Sequence, residues 1–406
     1  MDKVDVVIGG GGMAGLSTAT TLCEESDLSV ILVEESSVGS NQGIRAVFME
    51  PVNEFGLRDS VVQLYDSFVW HSSLGAMAKF DYKKVEVAGV DYRKACEILY
   101  ERAVRNGLVW LRAKAVRWSP EIPSPTNPLV IHLDTGDSVQ AEILIDASGS
   151  AQWAAKQLGT RRSTYYSICY GELLTGCSGV DPSTFCFLMP NSRYGNGGGW
   201  FYPSGKDSVS IGYSIVVPEK RSPIEDLMEG YFRAKEDFRP YADWVKRGSR
   251  ERIEAGVVPV GRIARFVSDR ILIVGDAAGQ AHPWSVEGCR PSLVNGRICA
   301  RVVLEACRKR NFDRLTLGEY ERRWSEFNRE RFWRASSVAE VVWKRSAQDW
   351  DRFVALAQRL SPGQQLKMLR DNEASLFQKI YAVMGYARRQ LVKWVRRQVG
   401  PAGVEA

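Results

Sequence analysis

The tightest constraint on this chain is the run from Val4 to Glu35, VDVVIGGGGMAGLSTATTLCEESDLSVILVEE. Val4 to Ile8 has the β-branched, apolar content of a buried strand. Gly10, Gly12 and Gly15 follow as G-x-G-x-x-G, and Leu16, Ala19, Leu22 and Cys23 then recur at helical spacing. The glycines therefore sit between a strand and a helix. Gly10 lets the chain turn tightly, Gly12 lets backbone approach a pyrophosphate, and Gly15 lets helix pack closely on strand. The helix start at Met13 and Ala14 offers free N–H groups and the positive end of a dipole to phosphates. Val30 to Val33 reads as a second buried strand. Glu34, with Glu35 beside it, ends that strand at the distance where an acid accepts hydrogen bonds from a ribose diol. The pattern predicts a dinucleotide site without separating FAD from NAD.

The 406 residues suffice for two or three domains, and 45% hydrophobic with 25% charged residues is ordinary globular composition. No run of 18 apolar residues occurs, so no transmembrane helix is expected. No charged segment precedes an apolar one at the start, so no signal peptide and a cytoplasmic location are expected. Eight cysteines without a C-x-x-C pair predict free thiols, and neither disulfides nor a metal site. The net charge of +6 is unevenly placed: Ala374 to Val404 carries Lys379, Arg388, Arg389, Lys393, Arg396 and Arg397 and no acid. There Phe377, Ile380, Tyr381, Met384, Leu391, Trp394 and Val395 recur at helical offsets. This pattern suits a helix lying peripherally on an anionic membrane rather than a nucleic-acid contact.

Between these ends the chain alternates strand and helix signals. Ile44 to Phe48 follows a polar loop, Glu50 to Leu64 reads as helical, and Ser67 to Val87 as strands. Asp91 caps a helix carrying Ala95, Ile98, Leu99 and Ala103 on one face, with Gly107 as its stop. Leu108 to Trp118, Leu129 to Leu133 and Glu142 to Ile145 read as strands, and the Pro-rich link SPEIPSPTNP as a long hairpin loop. Thr164 to Val217 is strand-like and rich in aromatics. Helices are predicted at Ile224 to Ala234, at Tyr241 to Lys246 and over most of the chain after Phe312, with a break at Pro362-Gly363.

Ile271 to Val274 is a further buried strand ending in Gly275-Asp276, followed by small residues, a loop with His282, Pro283 and Trp284, and a helix near Cys289. That arrangement suits a long ligand lying across the sheet. Asp276 is placed to accept from a ribityl hydroxyl, and the helix opening at Gly288 aims N–H groups at the flavin C2=O and N1. This second motif selects FAD.

Taken together, GGGGMAG with Glu34, GIRAVFME with Arg45, LIDASG, ILIVGDAAGQAHP and EGCRPSL resemble the FAD-dependent geranylgeranyl-reductase-like family. That family lies within the para-hydroxybenzoate-hydroxylase-type flavoproteins, with halogenases and aromatic hydroxylases as cousins. The resemblance covers about residues 1–310. It implies an α/β fold: a Rossmann-like FAD-binding domain (1–66, 88–163 and 255–311) with an inserted antiparallel-sheet substrate domain (67–87 and 164–254), and the helical pattern beyond it predicts a C-terminal helical region (312–406). It implies that Arg45 contacts the FAD pyrophosphate or ribose, that Pro283 and Gly288 border the isoalloxazine, and that Val116 and Gly149 join the cofactor-binding set. Gly199-Trp200-Phe201-Tyr202-Pro203, followed by Ser210-Ile211-Gly212, looks like the family's aromatic-x-Trp-x-aromatic-Pro strand. Trp200, Tyr202 and Pro203 are thus substrate candidates, but Gly198 stands at the first aromatic position. The loop before Arg45 lacks the cysteine of some archaeal members, and Tyr92 stands where many members have Arg.

The expected activity is FAD-dependent saturation of carbon–carbon double bonds in an isoprenoid or other apolar lipid. Hydride would come from flavin N5 and a proton from an acid or water, with His282 and Tyr202 as candidates. No second G-x-G-x-x-G is visible, so electrons are expected from transiently bound NAD(P)H or another carrier. The alternatives are a hydroxylase-type monooxygenase, a halogenase and a non-catalytic flavin-binding partner. A halogenase needs an active-site lysine, and the candidate Lys79, beside Lys83 and Lys84, reads as a solvated edge charge.

Overall fold

The computed structural model describes residues 2–40, 43–160, 163, 165–189, 197–218, 224–238, 241–261, 263–283, 285–326, 328 and 345–370. The basic C-terminal tail lies outside the described residues.

The opening motif folds as its residues require. The strand Asp2–Gly9 is followed by the helix Met13–Glu25, whose N-terminal flank is Gly12. Asp2–Gly9 lies between Ser138–Asp146 and Val30–Val33, parallel to both. Ile271–Ile273 extends the parallel set on one side and Val109–Leu111 on the other. With Val267–Ser268, Leu129–Leu133 and Ala115–Ser119 this makes an eight-stranded sheet. The Pro-rich segment is a hairpin loop, because Ala115–Ser119 and Leu129–Leu133 pair antiparallel. Val6, Val7 and Ile8 are fully buried, as strands covered on both faces must be.

One cover is the helix Cys289–Lys309, packed across Met13–Glu25. The backbones meet closely: the Ser17 hydroxyl donates to the Leu293 carbonyl at 2.7 Å, and the Thr18 hydroxyl to the Gly296 carbonyl at 3.2 Å. A Cβ at Gly296 would stand 2.7 Å from the Ala14 carbonyl oxygen, so glycine is required at this crossing.

The aromatic segment forms a seven-stranded sheet in the order Ser249–Val260, Tyr165–Thr175, Val209–Pro218, Gly197–Pro203, Thr184–Leu188, Ser67–His71, Met77–Asp81. Ser249–Val260 runs continuously through the 254/255 division suggested by the motifs. The helices Ile224–Asp237 and Tyr241–Val245 cover one face. A three-stranded sheet (Ile44–Phe48, Val87–Asp91, Val61–Tyr65) joins the two large ones.

The expected helix from Glu50 to Leu64 is corrected. Helix occupies Met49–Glu54, a short 3-10 turn Arg58–Ser60, and Val61–Tyr65 is a strand paired with Val87–Asp91. Gly56, at φ +67°, ends the helix, and the β-branched Val61 and Val62 then take the sheet. Beyond Phe312 the described residues are largely helical. Ala347–Ala357 and Pro362–Arg370 place Trp350, Phe353, Met368 and Leu369 against Phe68, Trp70 and Phe80 of the aromatic sheet. The expected break falls between Ala357 and Pro362, and Pro362 opens the next helix, as suits its fixed φ and missing N–H. Asp351 accepts from the Ala76 N–H at 3.0 Å and from the Ser72 hydroxyl, which fastens the first of these helices to the sheet edge. No helix among the described residues is long and apolar enough to cross a membrane.

Candidate active site

The parallel strands end at Gly9, Val33, Leu111, Asp146 and Ile273, and two cavities lie beyond those ends, where α/β sheets bind ligands. A cavity of about 370 Å³ is lined by Gly9, Gly10, Glu34, Glu35, Lys114, Ser148, Trp153 and Lys156, among others. A second, of about 220 Å³, lies past Met13 and includes Arg45, Tyr92, Trp200, Tyr202, Glu254, Asp276, Gly288 and Cys289 in its wall. The glycine-rich turn separates them, so an extended dinucleotide would have one end in each.

Gly10 makes the turn at φ +118°, and a Cβ there would overlap the Ala147 carbonyl. A Cβ at Gly15 would overlap the Gly10 carbonyl oxygen. Gly12 differs: the nearest atom to a Cβ would be the Tyr92 hydroxyl oxygen at 3.3 Å. That hydroxyl accepts the Met13 N–H at 3.1 Å. Burial drives its pKa well above the usual phenol range, so a neutral oxygen caps the donor that the motif reserves for a phosphate. Ala14 is buried against Gly275.

Glu34 is held in the turn rather than extended from it. Its Oε2 accepts from the Gly11 N–H at 2.8 Å, and its Oε1 from the Ser36 N–H at 2.8 Å and hydroxyl at 2.7 Å. It lines the larger cavity with Glu35, itself paired to Lys114 at 3.2 Å. Val116 is exposed, and its carbonyl accepts from the Trp153 Nε1–H at 3.2 Å. Gly149 turns at φ +61° in the same region.

Asp276 decides whether the second cavity suits the flavin half of FAD. Its Oδ1 is buried and has no hydrogen-bond partner among the described residues. Burial raises the carboxyl pKa to about 6. An orphaned acceptor in a roomy polar wall is what a ribityl hydroxyl would satisfy. Gly288, at the start of the Cys289–Lys309 helix, lies beside it, 3.5 Å separating a Gly288 Cβ from Oδ1. The residues therefore fit the group, as the sequence motif implied.

The raised pKa has a testable sign. The folded state holds the Asp276 proton more tightly than the unfolded chain, so the group's contribution to stability is complete at low pH and declines as pH rises through about 6. Asp276→Asn is expected to stabilise the FAD-free protein by on the order of 1–3 kcal/mol at roughly pH 8, and by little near pH 4. FAD retention should weaken in the same variant. Urea unfolding of FAD-free protein at the two pH values checks the first part, and equal midpoints would refute it.

Arg45 reaches into the second cavity, with Nη1 3.8 Å from the Glu254 Oε2. Nothing in the sequence pointed to Glu254. It is 2% exposed and accepts from the Ile44 N–H at 3.2 Å, the Ser210 hydroxyl at 2.6 Å and Arg252 at 3.3 Å. Ser210 in turn accepts the Trp200 indole N–H at 3.0 Å. The Trp200 ring is seated on bare backbone: a Cβ at Gly212 would overlap it, and one at Gly171 would come within 2.7 Å. Glu254 thus ties the Arg45 strand, the aromatic strand and the ring facing the cavity. The only available signal, an acid in the alternating run SRERIEAG, reads as a solvated strand.

Trp200 and Tyr202 stand on one face of Gly197–Pro203, their rings 6.4 Å apart, and both line the cavity. Pro203 is buried, and its carbonyl accepts from the Tyr65 hydroxyl at 2.7 Å. Burial keeps the Tyr202 hydroxyl well above the usual phenol range. Cys289 and Cys169 also line the wall, and burial raises both thiols, Cys289 to about 12.

His282, the candidate proton donor, is buried within its own loop. Its Nδ1 accepts from the Ser285 N–H at 3.2 Å and lies 2.7 Å from the Ser285 hydroxyl oxygen. Burial, assisted by the Arg290 charge, lowers its pKa well below the usual range. A neutral imidazole that organises its own loop is a poor acid. Neither His282 nor the buried Pro283 is among the described lining residues of the cavities, whereas Ser285, Val286 and Gly288 are. Val286 holds φ +55°, a conformation that costs a β-branched residue about 1–3 kcal/mol. Lys79 lies on an edge strand, half-exposed and 3.3 Å from Asp81.

Comparison with known proteins agrees with this geometry. A family described as Lycopene cyclase protein matches residues 5–188. The chain is 27% identical over 368 residues to digeranylgeranylglycerophospholipid reductase 1 of Methanopyrus kandleri, covering 84% of this chain and 91% of the relative. It is 26% identical over 389 residues to reductase 2 of the same organism, covering 91% and 94%. Among solved structures, a geranylgeranyl bacteriochlorophyll reductase-like protein from Thermoplasma acidophilum superposes with a TM-score of 0.78 at 19% identity, over 94% of this chain and all of that one. A flavin-dependent brominase superposes with a TM-score of 0.70 at 18% identity, over 95% and 100%.

Proposed function

We propose that this chain, a relative of the geranylgeranyl-type reductases built on a flavoprotein fold, is an FAD-dependent oxidoreductase that saturates carbon–carbon double bonds of an apolar isoprenoid lipid. The observation that carries the reading is the orphaned Asp276 carboxylate oxygen in a cavity that Trp200 and Tyr202 also line. The carboxylate suits a polyhydroxylated cofactor chain and the aromatic rings an apolar substrate.

Asp276, Gly288 and Arg45 would hold the flavin half, and Gly10, Gly12, Met13 and Glu34 the remainder. Bound there, reduced FAD would supply hydride from its N5. The protein's own residues would present the reacting bond flat against Trp200. Tyr202 keeps its proton, so it orients a head group by hydrogen bonding rather than by acid catalysis. The second hydrogen would arrive as a proton from water. Electrons would be delivered by transiently bound NAD(P)H or another carrier. The basic segment from Lys379 to Arg397 would hold the enzyme peripherally at an anionic membrane, where such a lipid resides.

The test is mass spectrometry of a digeranylgeranyl lipid incubated with FAD-loaded protein and a chemical reductant. Addition of two hydrogens per reduced bond is expected. Addition of an oxygen atom would mean a monooxygenase, and unchanged lipid with every donor would overturn the reductase reading.

A further inference from the structure

Two smaller chambers share Tyr202, Ser285 and Val286 with the 220 Å³ cavity as lining residues. One, of about 130 Å³, runs past Phe48 and Phe185 to Leu369. The other, of about 110 Å³, runs along Gly197, Gly198 and Gly199 past Phe187 and Met189 to Trp350.

The three glycines of the second chamber are not equivalent. A Cβ at Gly197 would overlap the Ser214 carbonyl, and one at Gly199 would stand 2.8 Å from the Gly212 carbonyl oxygen. Sheet packing accounts for both. At Gly198 the nearest atom is the Leu188 carbonyl oxygen at 3.3 Å, which a small shift relieves. No left-handed φ requires glycine there either. Yet Gly198 stands on the same face of its strand as Trp200 and Tyr202, where a side chain would enter the chamber. Packing does not explain its bareness, whereas the chamber does. The far end is set by Trp350, 2% exposed and held by its helix to the Ser67–His71 and Met77–Asp81 edge.

We propose that the chamber opened by Gly198 and ended by Trp350 is a subsite for the stretch of substrate chain beyond the reacting bond, and that these two residues set the chain length accepted. The proposal rests on the apolar-substrate reading above. Its chemistry is general: a linear hydrocarbon chain, held by burial alone, gains about fourfold in affinity per methylene enclosed. A chamber of this size holds roughly one isoprene unit.

The experiment is binding of geraniol, farnesol and geranylgeraniol to FAD-loaded protein, followed by calorimetry, with FAD content and thermal midpoint recorded for each variant. In the unaltered protein affinity is expected to rise with length and then level off. Gly198→Phe should move the levelling point one unit shorter, weakening the longer alcohols by on the order of a hundredfold, with geraniol unchanged. Trp350→Ala should move it longer. Gly198→Leu, a smaller filling, should lie between and guards against a failure of the Phe variant to fold. If Gly198→Phe and Gly198→Leu keep FAD, fold and the original length dependence, the subsite is refuted. Absence of binding in the unaltered protein would overturn both the subsite and the apolar-substrate reading. Length-dependent binding that follows the variants, without reduction of any alkene, would leave the subsite standing and remove only the reductase reading.

Discussion

Gly12→Val protein is expected to fold and to emerge without FAD, whereas Gly15→Ala is expected to lose stability outright. The two glycines belong to one motif but meet different surroundings. At Gly12 an added Cβ touches only the Tyr92 hydroxyl, at 3.3 Å, and that side chain can move. The two further methyl groups then fill the space over the glycine-rich turn through which a pyrophosphate would approach the backbone. At Gly15 the Cβ would overlap the Gly10 carbonyl oxygen and press on Ala147 at 3.1 Å. Backbone on both sides must shift, at a cost on the order of 3 kcal/mol. Absorbance of the purified variants at the flavin band, alongside thermal unfolding, separates the outcomes. A Gly12→Val protein with full FAD would remove the site from this turn, and a Gly15→Ala protein as stable as the parent would remove the packing argument.

Glu254→Ala should cost about 2–4 kcal/mol of stability. It strands the Ile44 N–H and the Ser210 hydroxyl, both buried, and leaves Arg45 and Arg252 without their shared carboxylate. The estimate is below that for a fully buried ion pair because the two arginine side chains keep 28% and 25% of their exposure. Glu254→Gln retains acceptor capacity and should lose roughly half as much. Since Ser210 also holds the Trp200 indole N–H, the Ala variant should show a shifted tryptophan emission spectrum even in conditions where it remains folded. Denaturant midpoints and emission spectra measure the two effects. Unchanged values in both would show that the network carries no weight.

The sequence by itself determined the nucleotide-binding half. G-x-G-x-x-G, Glu34, the strand ending in Gly275-Asp276 and the helix opening at Gly288 are local patterns, because a turn, a helix start and a buried strand depend on neighbours within a few residues. Even so, Glu34 was legible only as an acid at the right distance, and its three bonds within the turn were not. What tertiary structure decided were contacts between segments distant along the chain. Glu254 joins strands near residues 44, 210 and 254, and an acid in an alternating charged run carries no mark of such a partner. Tyr92 occupies the first N–H of a helix that precedes it by 79 residues. His282 was legible from its place beside the flavin motif, but its burial and its tie to Ser285 were not. The same holds for the three consecutive glycines at 197 to 199. In sequence only the motif register sets Gly198 apart, and it does not tell which of the three has room for a side chain. Strand alternation and the neighbouring Val209–Pro218 strand turn two of them into packing necessities and leave Gly198 facing open space, because a side chain's room is set by whatever the fold brings opposite it.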